Sequence, residues 1–364
     1  MNMKAKHIKI HDPVAARITE TEIGNDLVND YDPIRELQEA VYQTALKHGL
    51  RPQGQDLLEA FVLTPDANNM LRDGIRFLSF KGYTERPQTF QQFATVQTSV
   101  RPQEEYLRDS IMGVIPRTPS GKDAPMLRSS FEGATTIKNF RYAGLVEVTQ
   151  DDIRFDRLGK MSQIGLELGR SARMTEEAAV YADITTTANY TRNSTTNDND
   201  VGANTQTLTF SGIGMETATA IISTAKDRKS GAYLGLKADT IIIPPRMEVP
   251  VKQLLLSGEL NRTGASETRG MGTDNQYRGM IQNIIVCPWF GTSFQWALVD
   301  SSRMSYVFQR VDPFNVLQES MDTNSEAWLV RNSTRYLVQG YFGTGFVDDR
   351  AWFFSDSTTT PTVS

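Results

Sequence analysis

Between Thr149 and Thr185 the chain reads TQDDIRFDRLGKMSQIGLELGRSARMTEEAAVYADIT. Leu158, Met161, Ile164, Leu168, Ala172, Ala179 and Ala182 fall on one stripe of a period of about 3.6 residues, the pattern of an amphipathic helix. Asp152 or Asp156 can cap its start, and no proline interrupts it. The part after Asp156 alone would be about 40 Å long. Gly165 and Gly169 lie within this run, each costing roughly 1 kcal/mol of helix propensity against alanine. Keeping both implies something packed closely against the helix, such as a sheet or a neighbouring backbone.

Composition narrows the chemistry. The chain has 364 residues, of which 39% are hydrophobic and 22% charged, the balance of a globular protein. That length can bury a sizeable core, divided between two lobes with appendages. No apolar run reaches the roughly 18 residues of a membrane span, and MNMKAKHIKIHD lacks the apolar centre of a signal peptide. The expectation is a product that stays in the cytosol where it is made. The single cysteine, Cys287 in IIVCPW, forbids an internal disulfide and reads as a buried, inert thiol. His7, His11 and His48 are the three histidines, all in the first fifty residues. They leave the main body without a zinc-ligand set or a Ser-His-Asp triad, so neither a metal nor a cofactor is expected. A net charge of −5 is not the footprint of a dedicated nucleic-acid binder. Lys4, Lys6 and Lys9 read as a solvated basic tail.

Ahead of the long helix, Asp32-Pro33 opens a short helix with Ile34, Leu37, Val41 and Ala45 on its stripe, ended by Gly49. LLEAFVL is a short apolar run, MLRDGIRFLSF suits helix or strand, and Phe90, Phe93 and Val96 sit among glutamines. Residues 1–100 therefore read as an extended arm with short helices. Two β-leaning stretches follow, YLRDSIMGVIP and FEGATTIKNFRYAGLVEVT, separated by the loop PRTPSGKDAP. Arms of about a dozen residues exceed the usual five or six, and an isolated ribbon is marginal in water because it has little core to bury. Such an arm makes sense when another chain supplies the missing surface. Ser120 to Lys122 has the outline of a phosphate loop, but Pro116 stands where its first glycine belongs and Asp123 replaces Ser/Thr, so that reading is rejected.

After the long helix, TTTANYTRNSTTNDNDVGANTQT is polar and reads as a solvent-facing loop at a lobe boundary. Asn189, Asn193, Asn261 and Asn332 open glycosylation sequons by chance. Helix and strand then alternate. Ser211 caps a helix with Ala218, Ile221, Ile222 and Ala225 on one face, DTIII is a strand broken by Pro244-Pro245, and Val251, Leu254 and Leu255 mark a helix stopped by Gly258. Gly212 and Gly214 form a GxG without the third glycine of a nucleotide fingerprint. The loop at 261–280 is Gly-rich and polar. Ile284–Val286 and Phe294–Val299 read as strands. The last part is β-rich: a strand alternating from Met304 through Phe308, then Ala327–Val330, Tyr336–Phe342 and Trp352–Phe354, with Asn324, Asn332 and Gly343 as punctuation.

In this order the chain resembles the major capsid proteins of tailed bacteriophages, the Johnson fold shared with encapsulins and the herpesvirus capsid floor. The resemblance covers roughly residues 90–355. GLVEVTQDDIRFDRLG…ELGRSARMTEEAAVYAD looks like the passage from that family's E-loop into its spine helix. ADTIIIPPRMEVPVKQLLLSGE looks like the strand, proline turn and helix of the axial domain, and FVDDRAWFF like a closing strand. The resemblance implies an α+β fold: arm, 1–100; E-loop hairpin, 101–148; peripheral domain with spine helix and polar loop, 149–210; axial α/β domain, 211–320; closing strands and tail, 321–364.

It also implies partners and contacts. The chain would assemble with itself into hexamers and pentamers, with a scaffolding protein and portal during assembly and possible decoration proteins outside. The shell would form in the host cytoplasm and enclose DNA without sequence-specific binding or a membrane. Arg117, Lys122 and Asp123 at the hairpin tip, and Arg262, Arg269 and Arg278 in the 261–280 loop region, are expected to touch adjacent subunits. Gly165 and Gly169 are expected to face the peripheral sheet or a neighbour's arm. The region before the hairpin is longer than the family's minimal arm, and the family's Lys–Asn cross-link does not carry over, because Lys122 and Lys138 have no matching partner. Two alternatives stand beside this reading: an encapsulin-like compartment shell, and an enzyme using Asp151/Asp152 or Asp348/Asp349. Adjacent carboxylates are ordinarily solvated faces or helix caps.

Overall fold

A computed structural model describes residues 65–124, 126, 130–149, 151–152, 160–191, 203–260, 273–290, 294–319 and 325–361. The chain divides into two units, Met1–Gly74 and Ile75–Ser364. The expected helix at 32–49 and the LLEAFVL run lie outside the described residues. Of the first unit, the described residues 65–74 form the opening turns of helix α1, Pro65–Thr84. The ambiguous MLRDGIRFLSF stretch is therefore helical.

The second unit is built on two sheets. In the first, the order is β1 (Thr95–Thr98), β11 (Tyr306–Gln318), β12 (Ser333–Phe346) and β4 (Phe140–Thr149). β1 runs parallel to β11, and the other pairings are antiparallel. β11 slips register between Arg310 and Asn315, where Pro313 cannot donate to the ladder. In the second sheet the order is β5 (Thr205–Gln206), β13 (Trp352–Ser355), β10 (Trp296–Val299), β6 (Thr240–Ile243) and β9 (Asn283–Val286). Every residue of β6, β10 and β13 is buried, which explains why TIII, WALV and WFF are nearly unbroken apolar runs.

Helices α3 (Gly212–Ser223) and α4 (Glu248–Leu256) add Met215, Ala218, Ile222, Val251, Leu254 and Leu255 to the same core. Ser211 caps α3 as expected, its Oγ accepting from the Gly214 N–H at 3.1 Å. Cys287 is buried and free, and burial pushes its thiol upward. Aromatic rings join the two sheets. Trp352 of β13 lies 5.2 Å from Phe346 of β12 and 6.0 Å from Tyr306 of β11, with Phe93 5.4 Å away.

Several expectations need correction. Phe90 and Phe93 are buried in this core and β1 pairs within the first sheet, so residues 75–98 are part of the body rather than a draped arm. The strand Tyr306–Gln318, grouped by the sequence with 211–320, pairs in the first sheet with β12. Residues Glu326–Arg331 form a short helix, α5, not a strand, and Asn332 at φ 50° ends it in a left-handed position. Gly343 is no punctuation: it sits within β12, where a Cβ would collide with the Lys138 carbonyl. The polar 185–207 loop is anchored at both ends, by buried Tyr190 and buried Asn204.

Helix α2 is described over Lys160–Thr185, and Asp151 and Asp152 are also helical. Thr149 rather than Asp152 caps the turn at Asp151 and Asp152, while the alternative cap, Asp156, lies outside the described residues. Its hydroxyl accepts from the Asp152 N–H at 3.2 Å and donates back to the Asp152 carboxylate at 2.7 Å, a reciprocal cap. Leu168 and Ala172 are buried as the stripe requires, but beyond them burial passes through Glu176, Val180, Tyr181 and Ile184, and Ala182 is exposed. Glu176 is drawn inward by the Tyr83 hydroxyl at 2.6 Å, the Arg310 guanidinium at 3.2 Å and Gln88. Burial raises the Glu176 carboxyl above its ordinary value, although Arg310 and the hydrogen bonds pull the other way.

The two helix glycines face neither a sheet nor an arm. They meet the 75–84 half of α1. A Cβ on Gly165 would come within 2.9 Å of Leu78 Cβ, and one on Gly169 would collide with the Ser79 carbonyl and reach 2.7 Å from the Tyr83 nitrogen. Gly82 answers from the other side, against the Leu166 carbonyl. Two helix backbones touch here, and only glycine permits that approach.

Candidate subunit interface

The hairpin is shorter than its sequence implies. β2 (Gln103–Ser110) pairs antiparallel with β3 (Ser130–Lys138), and the second arm then changes partner. Beyond Asn139 the chain continues as β4, which pairs with β12 instead. Asn139 makes the switch. Its N–H donates to the Pro102 carbonyl at 2.9 Å, and its side-chain amide donates to the Arg101 carbonyl at 2.8 Å and to Ser99 Oγ at 3.2 Å. Nearby, the Tyr106 hydroxyl donates to Gln97 at 3.0 Å and accepts from Gln309 at 2.7 Å. Ile137, Val307 and Val347 close a small apolar cluster beneath it.

Beyond that cluster the hairpin leaves apolar side chains open to solvent. Leu107, Met112 and Phe131 are exposed, and in the connecting loop Val114 is 84% exposed, Ile115 77% and Met126 82%. Single exposed apolar residues are ordinary, but a run of them on one connecting loop is not. The expected polar contacts lie on the same loop. Arg117, Lys122 and Asp123 are all exposed there, with Lys122 in a turn closed by its N–H to the Pro119 carbonyl at 3.2 Å. Arg278 is exposed on a separate turn, and Arg262 and Arg269 lie outside the described residues. The flanking apolar residues were readable in SIMGVIP as apolar letters beside a proline-rich loop, a combination with no internal core to serve.

The paired carboxylates are not arranged for chemistry. Asp348 and Asp349 are buried and committed to protein partners. Asp348 accepts from Arg350 Nε at 2.8 Å and Nη2 at 2.9 Å. Asp349 accepts from the Thr191 N–H at 2.7 Å and hydroxyl at 2.9 Å. Burial works against the Asp348 charge, but hydrogen bonds and attraction from Arg350, helped by Arg108, hold its carboxyl below the usual range. Among the described residues no group of three or more His, Cys, Asp or Glu could hold a metal, and no helix is long and apolar enough to cross a membrane.

A buried scaffold with an uncovered apolar loop is the form of a building block, and comparison with known proteins agrees. Residues 133–354, more than half of the chain, match the family model described as phage capsid protein. The chain belongs to the phage capsid protein family. It is a major capsid protein, a shell-forming component of the virion whose role is structural rather than catalytic. Solved structures show the same fold at low identity. The capsid of the cyanophage P-SCSP1u matches at a TM-score of 0.52 and 11% identity over 76% of this chain and 89% of that one. A structure from Mycobacterium phage Bobi matches at 0.50 and 11%, over 76% and 92%. The capsid of a native GTA particle matches at 0.50 and 11%, over 76% and 91%. No curated protein matches the sequence. The family match favours a virion shell over a cargo compartment.

Proposed function

We propose that this capsid protein builds hexamers and pentamers of an icosahedral shell around double-stranded DNA, with each hairpin loop lapping onto an adjacent subunit. The observation that carries this reading is the exposure of Val114, Ile115 and Met126 on a loop with no core of its own. Burying them between copies returns about 25 cal/mol per Å² of apolar surface. Individual contacts of this size are weak, and many per subunit add through multivalency. Arg117, Lys122 and Asp123 would form the polar rim of that contact, and the 261–280 region with Arg278 would face neighbours around the capsomer axis.

A net charge of −5 suits a wall that does not attract DNA, which a motor would drive in through a portal. A scaffolding protein would set curvature during assembly in the host cytoplasm, and decoration proteins would bind the outer face. The test is assembly of the purified full-length chain, with and without scaffold, followed by light scattering and negative-stain imaging. Closed shells with five- and six-fold capsomers are expected. A stable monomer under every assembly condition would sink the reading.

A further inference from the structure

The far end of the hairpin is tied to the body by buried charge. Arg350 is fully buried, and besides gripping Asp348 its Nη1 lies 3.8 Å from Asp227 Oδ1. Asp227 is also fully buried. Its Oδ2 accepts from the Ser230 N–H at 2.8 Å, the Ser230 hydroxyl at 2.7 Å, and the hydroxyl of Ser110, the last residue of β2, at 2.7 Å. Two residues earlier on β2, Arg108 Nη1 lies 3.5 Å from Asp349 Oδ1. Asp349 is held in turn by Thr191 and by Asn204, whose amide donates to the Asp349 carbonyl at 2.9 Å. On the facing strand, Lys229 donates to the Phe131 carbonyl. Gly113 lies against Ser230, where a Cβ would come within 3.2 Å of the serine Cβ.

We infer that this cluster is a latch that fixes the direction of the hairpin inside each subunit before it meets a neighbour, with Arg350 as its positioning residue. Swinging the hairpin away would strip Ser110 and Arg108 from two buried carboxylates, and a buried charge that loses a partner is costly. The strands therefore move with the body. Adaptation to different neighbours falls to the connecting loop, where Gly113 and Gly121 both hold positive φ. This inference rests on the reading of the loop as an assembly contact, but it concerns the unassembled subunit and is tested there.

The experiment is hydrogen exchange on the full-length subunit and on its Arg108→Ala/Ser110→Ala double variant. Amides of Gln103–Ser110 and Ser130–Lys138 are expected to exchange about tenfold faster in the variant, while those of Thr240–Ile243 and Trp296–Val299 keep their protection. Those two core strands report whether the variant still folds, and Arg108→Lys with Ser110 intact is expected to restore most of the hairpin protection. Unchanged hairpin exchange in the folded double variant would overturn the latch. So would a loss of hairpin-strand protection when the unaltered protein assembles, because that would mean the latch opens. Failure of the unaltered protein to assemble would instead count against the shell reading and leave the exchange result standing.

Discussion

The five-stranded sheet and the 103–138 hairpin treat apolar side chains in opposite ways. In the sheet, Trp296, Leu298, Phe353 and Phe354 are fully buried, and helices α3 and α4 of the same chain share their core. In the hairpin, Val114, Ile115 and Met126 face outward, and what holds the far end of its strands to the body is polar. One region completes its hydrophobic core within a subunit, and the other leaves apolar side chains exposed, which on the proposed reading are covered at assembly. The contrast separates two kinds of substitution: those that unfold a subunit and those that leave it folded but solitary.

The largest expected effect lies in the sheet. Trp296→Ala removes a ring that packs 5.4 Å from Phe353 and 5.7 Å from Phe210. It should cost about 3–5 kcal/mol in denaturant unfolding, enough to deplete soluble subunits. A smaller loss is expected at the helix crossing. Gly169→Ala drives a methyl into the Ser79 carbonyl, which is backbone and cannot rotate away, and should cost about 1–3 kcal/mol. If stability is unchanged, α1 and α2 do not cross as closely as described.

Acid should act on the polar cluster that holds the far end of the hairpin. The folded Asp348 carboxyl holds its proton less tightly than it would in the unfolded chain. Its contribution is therefore complete above the ordinary carboxylate value of about 3.9 and is lost as pH falls through its lower folded value. Glu176, shifted upward, bends the profile the other way, favouring the folded state as pH falls toward the carboxylate range. Denaturant titrations from pH 7 to 3, with Asp348→Asn flattening the acid limb, check the sign.

Sequence periodicity made the regular elements legible. DTIII, the Ser211 cap, the α3 and α4 faces and the long helix all follow from spacing, because each buries one continuous stripe. What it missed was decided by partners distant in the chain. Nothing local says that Glu176 turns inward, since Tyr83, Gln88 and Arg310 come from three other segments. Nothing local assigns FRYAGLVEVT to the sheet rather than the hairpin, since both are extended, and only Asn139 and the close pass of Gly343 mark the change of partner. Ala327–Val330 reads as a strand from its apolar letters, yet it lies in a helix that Asn332 ends at positive φ. In the hairpin loop, the charges were readable as exposed because they sit between prolines. The buried role of Asp348, Asp349 and Arg350 was not, since adjacent charges usually mark solvated surface.

The central claim is that the hairpin loop spends its apolar side chains on neighbours. Full-length Val114→Ser/Ile115→Ser tests it by comparing unfolding free energy with assembly measured by light scattering. Subunit stability is expected to stay within about 0.5 kcal/mol of the unaltered protein while shell formation is lost. Shells forming at the same subunit concentration as before would contradict the account.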